Sequence, residues 1–300
     1  MIDLEALILA TTRLGIHEPR LFNECLDWLS RFGSFVHLQR LKTLQAETKL
    51  ADPAILSAMA AWLVEKGGQP KWKAHVSHGP AKESIGALSS GEGETAPLVA
   101  RQGVFRTPVR IRGMSKAPNP TLAPNLLLSL RALIGVSARA EVILCLSSRP
   151  AANPSEIARL TGYKARTMQL LLQEMLLSGQ VFASELPDRK KTAGRGRSRR
   201  YHMKEHDWRF LTGGQPLPQW TVWPPLWSLV CTVVEALPVS GEPEKHQAVV
   251  SSKIREKLAA DGEALAAAGF LPALDVRPGA PGAELLDTLE VSLPQLLGEL

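Results

Sequence analysis

One short run, Asn153-Pro154-Ser155-Glu156, constrains this 300-residue chain more than any other, because it starts a helix that Gly162 must end six residues later. Asn153 offers a side-chain oxygen to the exposed N–H groups of a first turn, and Pro154 sits at the first helical position, where no donor is lost. Glu156 stands where a capping-box acid reaches back to the cap. Gly162 supplies the positive-φ backbone of a tight helix-to-helix turn. The spacing predicts a short helix over 155–160 and a second over 164–177. Met168, Leu171, Leu172 and Met175 form the inward stripe of the second, and Gly179 ends it. Arg139 to Ser148, with Val142, Ile143 and Leu146 on one face, reads as a helix preceding the pair.

Two helices joined by a three- or four-residue turn containing Gly form a helix-turn-helix. Gln180 to Leu186 and Arg200 to Met203 are suited to pair as an antiparallel hairpin directly after it. The connection between them holds Arg189, Lys190, Lys191, Arg195, Arg197 and Arg199 with Gly194, Gly196 and Ser198 interspersed, and Arg200 follows at the start of the second strand. From Arg189 to Lys204 the chain carries +8 and no acid, against +6 for the whole protein, so the remaining 284 residues sum to about −2. A near-neutral protein with one cationic feature directs that feature at a polyanion.

The segment from Pro154 to Gln169 resembles winged helix regulators of the MarR and ArsR type, and with its surroundings from Arg139 to Met203 the resemblance covers roughly a fifth of the chain. The resemblance implies that the second helix lies in the major groove, with its first turns against base edges. Residue by residue it assigns Lys164, Ala165, Arg166, Gln169 and Gln173 to the outward face, with Thr167 able to reach a phosphate or pack inward. Arg forks onto guanine and Gln pairs with adenine. It also implies that the wing follows the phosphate backbone, with Arg197 and Arg199 as groove readers because Gly196 and Ser198 allow close approach. The chain departs from the pattern at Lys164, where Ser or Thr is usual, and at Leu170, where a polar residue is usual.

The rest of the chain reads as flanking structure. Residues 1–66 form an N-terminal helical domain, broken at Gly33 and restarted by Asp52 as cap with Pro53 behind it; a degenerate helix-turn-helix is one form it can take. Residues 67–124 form a linker and an extended Pro-rich arm, with Val104 to Ile111 extended among Pro108, Pro118, Pro120 and Pro124. Residues 125–206 hold the winged helix-turn-helix. Leu126, Leu127, Leu130, Leu133 and Ile134 make a stripe that serves either a two-fold dimer or packing within the chain. Residues 207–300 form a Trp-rich helical domain with helices over 225–237, 251–268 and 283–297; four of the seven tryptophans, Trp208, Trp220, Trp223 and Trp227, fall within twenty residues. These tryptophans either line an effector pocket or wedge helices together. The expected class is therefore mainly α, with a small β-wing.

Several chemistries find no pattern. Cys25, Cys145 and Cys231 are dispersed in apolar helical stretches and read as buried small hydrophobes, not as a disulfide framework or zinc cluster. His202 and His206 lie four apart, but His202 belongs to the second wing strand, where that spacing does not converge. There is no Gly-x-Ser-x-Gly, kinase signature or paired-carboxylate arrangement, so neither enzyme activity nor a cofactor is expected. The longest apolar run, 223–237, is too short to span a bilayer, and Met1 to Thr12 carries Asp3 and Glu5 without a basic start, so a cytoplasmic protein is expected. The expected partner is double-stranded DNA, bound sequence-specifically by a homodimeric transcriptional regulator. The alternative is an antitoxin-like interaction module of a defence or toxin–antitoxin operon, holding a protein partner and binding DNA only for autoregulation.

Overall fold

The computed structural model describes residues 1–15, 17–76, 109, 111–120, 122–187, 197–218, 221–236, 245–267, 270, 274 and 282–299. Among these the structure is mainly helical, with one two-stranded sheet. They fall into two compact units, each assembled from separated stretches of chain. No helix among the described residues is long and apolar enough to cross a membrane.

The helices before the linker are α1 (Leu4–Leu14), α2 (Pro19–Phe32), α3 (Leu38–Glu47) and α4 (Pro53–Glu65). After it come α5 (Leu126–Ile134), α6 (Ala138–Ser147), α7 (Pro154–Thr161) and α8 (Ala165–Leu176). Strands β1 (Phe182–Pro187) and β2 (Arg197–His202) follow, then the single turn α9 (Glu205–Trp208). The chain closes with α10 (Trp223–Ala236), α11 (Lys245–Ala267) and α12 (Gly282–Glu299).

The first unit comprises Met1–Glu5, Arg31–Leu44 and Ser115–Thr221, so it contains all of 125–206 and adds two stretches from near the N-terminus. Its apolar core joins Val142, Leu144 and Leu146 of α6 to Ile157 of α7, Met168 and Leu172 of α8, and Val181 and Tyr201 of the hairpin, all buried. Of the leucine stripe on α5, Leu126, Leu127 and Leu130 are buried within the unit, whereas Leu133 and Ile134 are exposed. A second, ionic core lies beside the apolar one. Arg131 of α5 donates to Glu5 at 2.6 Å and to Glu141 of α6 at 2.6 Å, and Arg40 of α3 donates to Asp3 at 2.6 Å and Glu5 at 2.7 Å. All five side chains are buried. Desolvating such charges costs several kcal/mol per ion, which only close, multiply hydrogen-bonded pairing offsets.

The second unit comprises Ala6–Ser30, Gln45–Met114 and Val222–Leu300. Every residue of α4 from Ile55 to Leu63 is buried, as befits a helix apolar all round. Asp52 caps it, accepting from the N–H groups of Ala54 and Ile55 at 2.9 and 3.0 Å. The first ten residues of the expected linker, 67–76, lie within the described part of the second unit. Pro70–His75 is a 3₁₀ turn packed on α4, and Trp72 within it is wholly buried. One large aromatic buries enough apolar surface to hold a Gly-, Lys- and Pro-rich stretch down. The expected extended piece from Val104 to Ile111 lies almost entirely outside the described residues.

The C-terminal helices α10, α11 and α12 pack on one another. Trp223 and Trp227 stack there at 5.6 Å between ring centroids. Trp208, grouped with them in the sequence, belongs instead to the first unit. Cys145 and Cys231 are buried as expected, while Cys25 is half-buried. Burial pushes the thiols of Cys145 and Cys231 up to about 12.

Candidate nucleic-acid interface

The capping signal at Asn153 is realised in full. Its side chain accepts from the Glu156 N–H at 2.9 Å, and the Glu156 carboxylate accepts from the Asn153 N–H at 3.0 Å. Gly162 ends α7 with φ 74° and ψ 14°, its N–H donating to the Ala158 carbonyl at 2.9 Å. Three residues later α8 begins at Ala165, so the turn between the helices is short and left-handed at its glycine.

Helix α8 divides cleanly into two faces. Met168, Leu171 and Leu172 are buried, whereas Lys164, Ala165, Arg166, Thr167, Gln169 and Gln173 are all exposed. The sequence pattern left Thr167 free to pack inward or outward; it is exposed. Arg166 donates to the Gln169 side-chain carbonyl at 3.2 Å, one helical turn on, which aligns the two polar ends. Lys164 stands at the N-cap without a side-chain cap bond, as its departure from Ser or Thr implies. Leu170 is 46% exposed beside these polar groups.

The turn is anchored from below by residues that periodicity and motif alone did not single out. Tyr163 stacks on His37 with ring centroids 4.9 Å apart, and its hydroxyl lies 3.0 Å from His37 Nε2. The His37 N–H donates to Glu5 at 2.8 Å. Burial, reinforced by the nearby Glu141 carboxylate, pushes the Tyr163 phenol up to about 12. The start of the outward helix is thus tied, through His37, to the buried ionic cluster.

The hairpin pairs β1 with β2 in antiparallel register, Phe182 opposite His202 and Ser184 opposite Arg200, several residues nearer the connection than the expected pairing of 200–203. Tyr201 also exchanges two backbone bonds with Ala152, at 2.8 and 2.9 Å, which adds a one-residue bridge ahead of α7. Alternation along β2 separates the arginines. Arg199 is exposed, with its guanidinium 5.7 Å from the Tyr201 ring centroid. Arg200 points to the opposite face, where it donates to both oxygens of Glu156 at 3.1 and 2.9 Å and to the Ala151 carbonyl at 2.7 Å. Glu156 therefore serves twice, as the capping-box acid and as the hairpin's anchor. Arg197 opens β2 opposite Pro187. Arg189, Lys190, Lys191 and Arg195 lie outside the described residues.

His202 stacks on Phe182 at 5.7 Å, and His206 pairs with Asp207 at 2.6 Å. The chain matches no known protein-family model, no curated protein and no solved structure.

Proposed function

We propose that this chain is a transcriptional regulator that binds duplex DNA sequence-specifically through a winged helix-turn-helix, and that it has no catalytic activity. The observation that carries this reading is the outer face of α8. Lys164 at the N-cap and Arg166, Gln169 and Gln173 within the 12-residue helix are exposed, and the hairpin that follows directly has the chain's cationic run at its connection. A helix about 18 Å long fits the major groove, where Arg and Gln discriminate base edges. The cationic run from Arg189 to Arg199, which enters β2 at Arg197, would then meet phosphate or a minor groove. Arg200, already paired with Glu156, positions the hairpin and leaves the grip to its neighbours. Leu133 and Ile134, exposed at the end of α5, give the homodimer contact that a palindromic site requires.

The test is fluorescence anisotropy on mixed-sequence duplex over a salt series, comparing the native chain with one carrying Arg195, Arg197 and Arg199 changed to Ala. Each lost phosphate contact flattens the slope of log affinity against log salt by about 0.9. A flatter slope with weaker binding supports the reading, and no binding by the native chain at low salt overturns it.

One observation favours the alternative of an antitoxin-like module that holds a protein partner. Leu170 on the outer face of α8 and Leu177 just beyond its end are exposed, the latter 90%. Apolar side chains gain from a protein surface what a polar groove does not supply. On that reading Leu170→Ser abolishes a protein complex and leaves DNA affinity intact.

A further inference from the structure

The five charges of the first unit's ionic core do not balance. Three carboxylates, of Asp3, Glu5 and Glu141, meet two guanidiniums, of Arg40 and Arg131, and all five side chains are buried. With every group ionised, these five carry one negative charge in excess. Uncompensated charge is costly inside a protein, and a buried carboxylate escapes the cost by binding a proton. Arginine stays protonated, so only the acids can adjust.

The hydrogen bonds single out one of the three. Asp3 accepts from Arg40 on both oxygens, each at 2.6 Å. Glu5 also accepts on both, from Arg131 at 2.6 and 3.2 Å, from Arg40 at 2.7 Å and from the His37 N–H at 2.8 Å. For Glu141 the two bonds from Arg131, at 3.0 and 2.6 Å, both fall on Oε1, which leaves Oε2 to carry a proton. Burial pushes this carboxyl up more than Arg131 pulls it down, and the charge of Glu5 adds to the rise. Three more titratable groups surround the cluster. Tyr163 is near enough for the Glu141 charge to act on its phenol, His37 carries the stacked Tyr163 ring, and Cys145 lies one turn along α6.

We propose that Glu141 is a proton-operated switch on the turn that starts α8: it is protonated while Tyr163 stacks on His37, and its ionisation loosens that stack. The negative charge released into the core repels Glu5, whose carboxylate holds the His37 N–H, and acts on the Tyr163 hydroxyl from the other side of the same contact. The helix that follows is the one proposed to read bases, so what the switch regulates rests on that reading, whereas the protonation itself does not.

An NMR titration of the free full chain from about pH 4 to about pH 9 tests this, with ¹³C in the glutamate carboxyls and tyrosine rings and ¹⁵N in the backbone. Glu141→Gln keeps an oxygen for Arg131, fixes the neutral form and identifies the Glu141 signal by its disappearance. The chain has two tyrosines, so Tyr201 in the hairpin is the internal control, and its unchanged signal shows that the variant is folded. If the variant does not fold, the native titration decides alone, with Glu141 assigned through its own backbone. The expected midpoint of Glu141 lies above the ordinary 4.5, and the Tyr163 ring and Arg166 N–H signals shift with the same midpoint while Tyr201 stays in place. In Glu141→Gln the Tyr163 and Arg166 signals keep their low-pH positions. The proposal is overturned by a Glu141 midpoint at or below 4.5, by a Glu141 that stays protonated until the chain unfolds, by a Tyr163 signal that does not follow it, or by a Tyr163 shift that persists in Glu141→Gln, which assigns the proton to His37. No DNA is present, so this result and that of the salt series are independent.

Discussion

Arg131 and Glu5 lie 126 positions apart in the chain, yet their charged atoms are 2.6 Å apart with both side chains fully buried. The pair joins the first residues of α1 to α5 of the same unit, and Arg40 closes a second bond on Glu5. Breaking one partner of such a pair strands the other charge in the interior. Glu5→Ala and Arg131→Ala should each destabilise the protein by about 3–5 kcal/mol. The double variant Glu5→Ala/Arg131→Ala should lose less than the two single losses added together. Chemical denaturation followed by circular dichroism checks the cycle; additive losses would show that the pair is uncoupled.

The same cluster sets an acid limit. Burial pushes the Glu5 carboxyl up, but Arg131 and Arg40 together overcome that and hold it down, from the ordinary 4.5 to about 2. A carboxyl lowered in the fold contributes stability that is fully present above about pH 4.5 and lost as pH falls toward 2. Glu141 runs the other way, because burial outweighs the pull of Arg131 and raises it. Its contribution is present below its ordinary value and fades as pH rises through the raised one, so it does not mask the loss below 4.5. Stability measured against pH should fall on this acid limb in the native chain, and the limb should flatten in Glu5→Gln.

Arg199 and Arg200 are adjacent but should behave differently. Arg199 is exposed, so Arg199→Ala should lower the salt slope of DNA binding by about 1 with no change in unfolding midpoint. Arg200 is committed to Glu156 and the Ala151 carbonyl, so Arg200→Ala should cost stability instead. That cost should be at most about 1 kcal/mol, since the pair is partly exposed to water. Equal effects of the two variants on the salt slope would contradict the division of roles.

On α8, Arg166→Ala should remove about 1–3 kcal/mol of discrimination at one base pair while leaving non-specific affinity nearly unchanged. Selection of preferred duplexes from a random pool, repeated with the variant, reads this directly. Retention of the full preference would place Arg166 away from the bases.

Gly162 sits at φ 74°, where an added Cβ would be strained even though its nearest neighbour, Arg40 Cγ, is 3.4 Å away. Gly162→Ala should cost about 1–2 kcal/mol, and Gly162→Asn less, because Asn visits the left-handed region more readily. Thermal unfolding of the two variants distinguishes backbone strain from simple crowding, which would penalise the larger Asn more.

Short-range physics made part of this protein legible from its sequence. The Asn153–Glu156 capping box, the glycine stop at 162, the buried stripe of α8 and the hairpin after it depend on residues a few positions apart, so each appeared close to where it was read. Lys164, Arg166, Gln169 and Gln173, which the resemblance assigned to the outward face, are exposed opposite that stripe. The tertiary structure decided what distance in the sequence hides. Arg131 interrupts a leucine stripe, and Glu141 stands in an apolar helix beside Val142. Those are the marks of charges in the wrong place, but the pairing of Arg131 with both Glu141 and Glu5 joins three different helices, and no local rule could name it. Trp72 anchors a stretch that composition reads as linker, because burial depends on what surrounds a residue in space. Trp208 left its sequence neighbours Trp223 and Trp227 for the same reason. Arg199 and Arg200, alike in sequence, were separated only when pleating turned one toward solvent and the other toward Glu156.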